Sequence, residues 1–408
     1  MNFELVNSLP NSFMNKFTRI TIRPGTQHHH LVGILGTPRN HHSFTKHTTS
    51  LSHPTRISRN NPPFFHHNPN HTHNTRPTST MPNEVDRTIY EHTTGAAATT
   101  ASAHEPEKPL KLYAGWFCPF VQRTWITLNE KRIDYQYIEI NPYHKDPEFL
   151  KLNPRGLVPT LGVEVPTPVV SEKENGTTTN GTTQRKPKLK PLYESIVIAE
   201  YLDEHYCDPA RHGPRLLPSG TDTLSAYDRA RCRLWIDHIN SRIVPSFYRF
   251  LQHTPEKTYS VEDARSEFLG HIKTWTREML ELDAEREDAG VPSGPFFLGE
   301  TFSLVDVTLA PWALRMFLIE HYKPGGVGIP GDGEGGKDEE VWRRWKKWFE
   351  AVEGRESVVC TMSEKEKYVD VYKRYAEDET GSQVGQATRG GRSTGQLGGT
   401  SGHKCRRW

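Results

Sequence analysis

The 408 residues carry 51 Lys and Arg against 49 Asp and Glu, a formal net charge of +2, with 34% hydrophobic residues and five cysteines. So even a balance gives no electrostatic ground for a nucleic-acid or membrane partner, and neither is expected. The cysteines (Cys118, Cys207, Cys232, Cys360, Cys405) are odd in number and widely spaced, which excludes a disulfide framework and favours a reducing compartment.

In chain order, residues 1–108 form an extension rich in His, Asn, Thr, Ser and Pro, with Glu4 the only acid before Glu84. Such a segment cannot bury enough apolar surface to offset its ordering entropy, so disorder is expected. An acid-poor, Ser/Thr-rich leader is what an organellar transit peptide looks like; the plainer reading is an unselected extension, with Met81 an alternative first residue. A cytoplasmic location is therefore expected, or a mitochondrial one if residues 1–80 act as a transit peptide. The histidine clusters at His28–His30, His41–His42 and His66–His67 lack the ordered spacing of a structural site, and no metal is assigned.

From Leu110 the pattern reads strand (110–114), helix (about 119–131), strand (135–140), a helix-like stretch (146–152), strand (158–161), a short strand near Leu192-Tyr193 and a helix (about 195–206). In the first helix Val121, Trp125 and Leu128 share one face, as expected for burial against a sheet. The alternation predicts a small α/β layer over 109–207. It is interrupted at 165–191 by a low-complexity insertion that lengthens a surface turn at little entropic cost. Asn175 and Asn180 within it match the glycosylation sequon, without a secretory signal to give that meaning.

Residues 218–376 read as all-helical. A long helix holds Leu234, Trp235, Ile236, Ile239, Ile243, Phe247, Phe250 and Leu251; a second covers about 260–289. A third opens at Ser303-Leu304-Val305-Asp306, a capping box with Phe302 and Val307 placed as a hydrophobic staple. Pro311 is expected to kink it. A tryptophan-rich helix (Trp342, Trp345, Trp348) and a final one (about 364–376) follow, and the Gly/Ser/Gln/Arg-rich tail 377–408 is expected to be disordered. Gly331–Asp338 imitates a phosphate loop, but Asp338 stands where a Ser or Thr would hold magnesium and no strand precedes it, so it reads as a flexible connection.

Three motifs carry chemistry. Trp116-Phe117-Cys118-Pro119-Phe120 sets one sulfur where a strand meets a Pro-started helix. Unpaired N–H groups and the helix dipole favour a thiolate there and lower a thiol's pKa; alone, the cysteine is equally compatible with an inert core residue. Asn153-Pro154-Arg155-Gly156-Leu157-Val158-Pro159 ends in a proline at a strand start, which leaves the backbone of Val158 open to a ligand, most rigidly in the cis form. Glu194-Ser195 sits at a strand-to-helix junction, where a carboxylate can pair an ammonium and a hydroxyl with helix N–H groups can bind a carboxylate; alone, it also reads as a plain N-cap.

These motifs, in this order and followed by a helical domain with a Ser-x-x-Asp cap, resemble the glutathione transferases, and the Cys-Pro-Phe triplet resembles their omega class. The resemblance covers about 110–376. It implies a thioredoxin-like domain that binds glutathione and an all-helical domain beside a second-substrate site. By the same resemblance Cys118 forms a mixed disulfide with glutathione and Phe120 packs beside it. Val158, before a cis Pro159, pairs with the cysteinyl part; Glu194 and Ser195 hold the γ-glutamyl end, Lys145 the glycyl carboxylate, and Tyr368 of the last helix serves the acceptor. Glutathione is then the co-substrate, a glutathionylated thiol or a small oxidised acceptor such as dehydroascorbate the partner, and a homodimer the assembly. Val121, three residues after Cys118, excludes a Cys-x-x-Cys dithiol, so a second glutathione must clear the disulfide. The alternative is a non-catalytic interaction or scaffold module on the same fold.

Overall fold

The computed structural model describes residues 92–166 and 187–391. The expected disorder of residues 1–91 and 392–408, the histidine clusters and the interior of the insertion with both sequons lie outside the described residues. The elements of the first layer are α1 (Gly95–Ala103), β1 (Leu110–Ala114), α2 (Pro119–Glu130), β2 (Gln136–Glu139), α3 (Pro147–Leu152), β3 (Thr160–Val165), β4 (Lys188–Tyr193) and α4 (Ser195–His205). The helical part comprises α5 (Pro209–His212), α6 (Thr223–His238), α7 (Val244–Leu251), α8 (Val261–Asp288), α9 (Leu304–Ala313), α10 (Met316–Tyr322), α11 (Glu339–Glu353), α12 (Glu356–Val359), α13 (Lys365–Ala376) and α14 (Gln383–Arg389).

The sheet runs β2-β1-β3-β4. β1 lies parallel to β2, with Leu112 opposite Tyr137, and antiparallel to β3; β3 and β4 form an antiparallel hairpin. β4 takes Lys188–Pro191 out of the expected insertion. It is an edge strand, so the N–H that Pro191 lacks costs no ladder bond, and Gly162 faces it. In β1 residues 110, 112 and 114 are buried, which sets the sheet's inner face. There Leu112, Trp125, Leu128, Ile198 and Leu202 form one core. A second core fills the helical part around Trp275, Trp312, Trp345 and Trp348 and takes in Trp116, Phe117, Ile126 and Ala199 from the sheet layer. α2 is therefore buried on two sides, against the sheet and against α9, and this pins the residues at its start.

The capping box forms as expected. Asp306 accepts from Ser303 N (2.7 Å) and Ser303 Oγ (2.6 Å), and also from Phe297 N (2.9 Å) and Trp348 Nε1 (2.7 Å). The long helix expected around 234–251 is instead broken by a π-helical turn at Ile239–Ile243. Pro245 has no N–H to give the preceding turn and its ring crowds the carbonyl four residues back, which accounts for the wider turn. Leu234, expected on the apolar face, is exposed.

Two expectations of disorder need correction inside the described residues. Residues 95–103 of the extension form α1, held by Ala97 N to Met362 O (3.0 Å) and Thr100 Oγ1 to Cys360 O (2.7 Å). Residues 383–389 of the tail form α14, whose Gly385 and Ala387 are buried.

Candidate active site

Cys118 caps α2 in extended conformation (φ −76°, ψ 119°), with Pro119 as the first helical residue. Two sets of bonds fix the loop before it. Trp116 N donates to Glu139 Oε1 (2.9 Å), and the Phe117 carbonyl accepts from Arg315 Nη2 (3.2 Å) and Tyr372 Oη (3.1 Å). Glu139 also accepts from Tyr137 Oη (2.7 Å), and burial pushes its carboxyl up to about 8.

Cys118 is only half-buried as a residue, yet burial raises its thiol above the ordinary value. The N–H groups of Val121 and Phe120 and the charges of Arg315 and Arg123 act in the opposite direction. The depressed thiol expected from the helix start alone is thus corrected: desolvation outweighs the helix N-terminus. The thiol donates to the Val158 carbonyl at 3.9 Å, a contact that also favours the protonated form.

The Val158–Pro159 peptide bond is cis. Glu194 adopts φ 72°, ψ 111°, a left-handed backbone that costs a non-glycine residue about 1–3 kcal/mol and is typical of functional turns. Its side chain makes no capping bond; the exposed carboxylate meets Arg155 Nη1 at 3.4 Å. Ser195, the first residue of α4, is buried, and its Oγ accepts from Arg123 Nη1 at 3.4 Å. Lys145 lies over Gly156, where a Cβ would come within 2.8 Å of its Cδ, and partial burial pulls its ammonium below the ordinary lysine value.

Phe120, Lys145, Val158, Pro159, Glu194 and Ser195 all line one cavity of about 500 Å³ together with Cys118. Tyr368 does not, and its expected acceptor role is corrected. It is fully buried, edge-on to Trp116 (5.1 Å) with the Arg315 guanidinium over its ring (4.7 Å). The same helix reaches the cavity one and two turns later, through Tyr372 and Tyr375.

Sequence reasoning missed the rest of the wall: Tyr143 and Tyr248, Asp237 before the π-helical turn and Asn240 within it, residues 381–384 at the start of α14, and the arginine behind Ser195. Tyr143 and Tyr375 share a hydrogen bond at 3.0 Å. Only the arginines left a signal, as charges set in apolar helical runs at Arg123 and Arg315. Among the described residues no cluster of three or more His, Cys, Asp or Glu could hold a metal ion, and no helix is long and apolar enough to cross a membrane.

The arrangement can hold a zwitterionic peptide-like ligand beside one thiol. The exposed Glu194 carboxylate, the Ser195 hydroxyl on a helix start, the Val158 backbone before the cis proline and the Lys145 ammonium all line the cavity with that thiol.

Comparison with known proteins converges on the same region. The family model "Glutathione S-transferase, N-terminal domain" matches residues 117–205, and "Glutathione S-transferase, C-terminal domain" matches 258–351. Glutathione S-transferase omega-1 of Sus scrofa is 30% identical over 217 residues, which cover 53% of this chain and 70% of that protein. A probable glutathione S-transferase, parC, of Nicotiana tabacum is 30% identical over 194 residues, 48% of this chain and 67% of its own. Among solved structures, glutathione transferase Omega 3C from Trametes versicolor is similar with 37% identity and a TM-score of 0.49, covering 68% of this chain and 99% of that one.

Proposed function

The chain belongs to the glutathione S-transferase family, and we propose that it is a glutathione-dependent thiol transferase working through a Cys118–glutathione mixed disulfide. The observation that carries this reading is a single thiol at the cavity wall, at the start of α2 and against the cis Pro159 turn, with Val121 rather than a second cysteine three residues on. In the first step the Cys118 thiolate attacks the glutathione sulfur of a glutathionylated acceptor. The Cys118–sulfur bond forms, the acceptor–sulfur bond breaks, and the acceptor leaves as its thiolate. A second glutathione thiolate then attacks the glutathione sulfur of the mixed disulfide. Oxidised glutathione forms, and the electron pair returns to Cys118.

Glu194 pairs the γ-glutamyl ammonium and Ser195 its carboxylate, Val158 offers its backbone to the cysteinyl unit, and Lys145 faces the glycyl carboxylate. Phe120 packs beside the sulfur. Tyr143, Tyr248, Tyr372 and Tyr375 give the acceptor an aromatic wall with polar rims, suited to a glutathionylated thiol or a small oxidised acceptor such as dehydroascorbate. A homodimer is part of the same reading. Val197 of α4 and Leu224, Tyr227 and Leu234 of α6 are more than half exposed, apolar surface of the kind that a partner subunit covers.

The test is intact-mass measurement after incubation with oxidised glutathione. One glutathione adduct is expected in the wild type and none in Cys118→Ser, with disulfide-exchange activity lost in the variant. Exchange activity unchanged in Cys118→Ser removes the reading.

A further inference from the structure

Two arginines lie at the root of the cysteine loop, both fully buried. Arg123, on α2, donates through Nε to Thr308 O (2.9 Å) and through Nη1 to Ser195 Oγ (3.4 Å), and its guanidinium stacks over Trp312 (4.3 Å). Its Nη2 has no acceptor. Arg315, just after α9, donates through Nη1 to Gln122 Oε1 and to Pro311 O (2.8 Å), and through Nη2 to Phe117 O (3.2 Å). Its Nε has no acceptor. Every acceptor these cations hold is neutral: backbone carbonyls, an amide oxygen and a hydroxyl. Among the described residues neither makes an ion pair with a carboxylate. A buried cation without a counter-ion is costly, and here there are two.

The groups facing them are few. Tyr248 comes from α7, Tyr368 and Tyr372 from α13, and Cys118 from the start of α2. Burial raises the phenols of Tyr248 and Tyr372, which keeps them neutral. A third guanidinium, Arg374, stacks on Tyr143 (4.1 Å) and Phe117 (5.4 Å). Glu194 and Asp237, the acids of the cavity lining, are exposed. Cys118, whose thiolate is released when the mixed disulfide is cleaved, is thus the group facing both arginines that turns anionic in the proposed reaction. Burial pulls Arg123 down to about 9, which still leaves it charged at neutral pH.

We infer that Arg123 and Arg315 form a buried cationic pair whose counter-ion is the Cys118 thiolate. They act as positioning residues that set the thiol's acidity from beneath the loop. This rests on the thiol-transferase reading and adds the origin of its driving force. When the second glutathione thiolate breaks the mixed disulfide, the electron pair left on Cys118 falls into a fixed positive field, which needs no reorganisation and assists the leaving sulfur. The pair thereby offsets part of the desolvation that disfavours the thiolate.

The experiment follows carbamidomethylation of the Cys118 peptide by iodoacetamide from pH 6 up to the alkaline limit at which the fold holds, read by mass spectrometry, in the full-length wild type and in Arg123→Gln, Arg123→Lys, Arg315→Gln and Arg315→Lys. The expected result is a midpoint at least one pH unit higher in the Gln variants, about a tenfold loss of thiolate below it, with Lys at either position keeping the midpoint within half a unit. Arg315 braces three backbone and amide acceptors, so its Gln variant is the one most exposed to misfolding; Arg123→Gln, with two bonds to lose, then decides alone. Gln variants with native near-ultraviolet circular dichroism and an unmoved midpoint overturn the inference. So do Lys and Gln variants that shift equally, because the effect is then packing and not charge. Failure of the thiol-transferase reading is separately visible: wild-type Cys118 then takes no glutathione adduct, whatever its alkylation midpoint.

Discussion

At the scale of single residues, Glu139 shows how the cysteine loop is tied to the sheet. Its carboxyl accepts from Trp116 N and Tyr137 Oη in a site dry enough to push it from 4.5 up to about 8. A carboxyl raised in the folded state binds its proton more tightly there than in the unfolded chain. Stability therefore falls as pH climbs from about 4.5 through about 8. Glu139→Gln keeps an acceptor for Trp116 and carries no charge. Urea unfolding at pH 5, 7 and 9 should show the wild type losing stability relative to Glu139→Gln at each step. A difference that does not change with pH would mean the carboxyl does not titrate in this range. Tyr368 teaches a lesson of register at the same scale. The last helix does bring aromatic side chains to the cavity, but a helix turns 100° per residue, and without a measured phase the first tyrosine and those one or two turns on cannot be told apart.

At the scale of elements, legibility followed periodicity. β1 was readable to the residue because Leu110, Leu112 and Ala114 alternate inward, and α9 because Ser303 and Asp306 announce its start. α1 and α14 were not, because Gly95–Ala103 and Gln383–Arg389 have no apolar face. They are held by backbone bonds and by small residues fitted into tight places. The motifs at Cys118, Pro159 and Glu194 were legible because each is a local turn. The tyrosine wall and the arginine pair were not, because they meet only through tertiary packing of α2, α7, α9 and α13. α14 carries its own prediction. A Cβ on Gly385 would stand 2.3 Å from Thr380 Cγ2, so Gly385→Ala cannot keep the segment as it lies. Overpacking of this kind costs about 1–3 kcal/mol. On the proposed reading, with residues 381–384 of the cavity wall bordering the acceptor, KM for a glutathionylated peptide should change several-fold in Gly385→Ala while KM for glutathione stays within twofold. Equal changes in both constants would remove α14 from acceptor selection.

At the scale of the whole molecule, the sheet layer and the helical part are joined by a buried charge cluster as well as by apolar packing. Asp203 of α4 is fully buried and meets Lys131 Nζ (3.1 Å) at the end of α2 and Arg215 Nε (2.9 Å) in the connection to the helical part; it also accepts from Leu216 N (2.8 Å). Removing Asp203 leaves Lys131 buried with only the Pro214 carbonyl (3.1 Å) and no counter-ion, a loss of about 3–5 kcal/mol. Asp203→Ala should lower the unfolding free energy by that amount, read from urea titration as a single transition seen alike by tryptophan fluorescence and far-ultraviolet circular dichroism. Two separated transitions would show that the parts unfold independently and that the cluster serves the sheet layer alone.

The β3–β4 hairpin has a practical corollary. Its far pair, Val165 and Lys188, closes a ladder whose near pair, Thr160 and Tyr193, abuts Pro159 and Glu194. At ~3.3 Å per residue the two ends stand roughly 17 Å apart. Whatever chain joins Val165 to Lys188 must leave and re-enter at neighbouring points. A loop of another length joining these points changes the closure entropy by about 0.6 kcal/mol for each doubling of length. The hairpin is thus a graft port, where a sensor of the thiol's redox state can be built into the chain without touching a residue that lines the cavity.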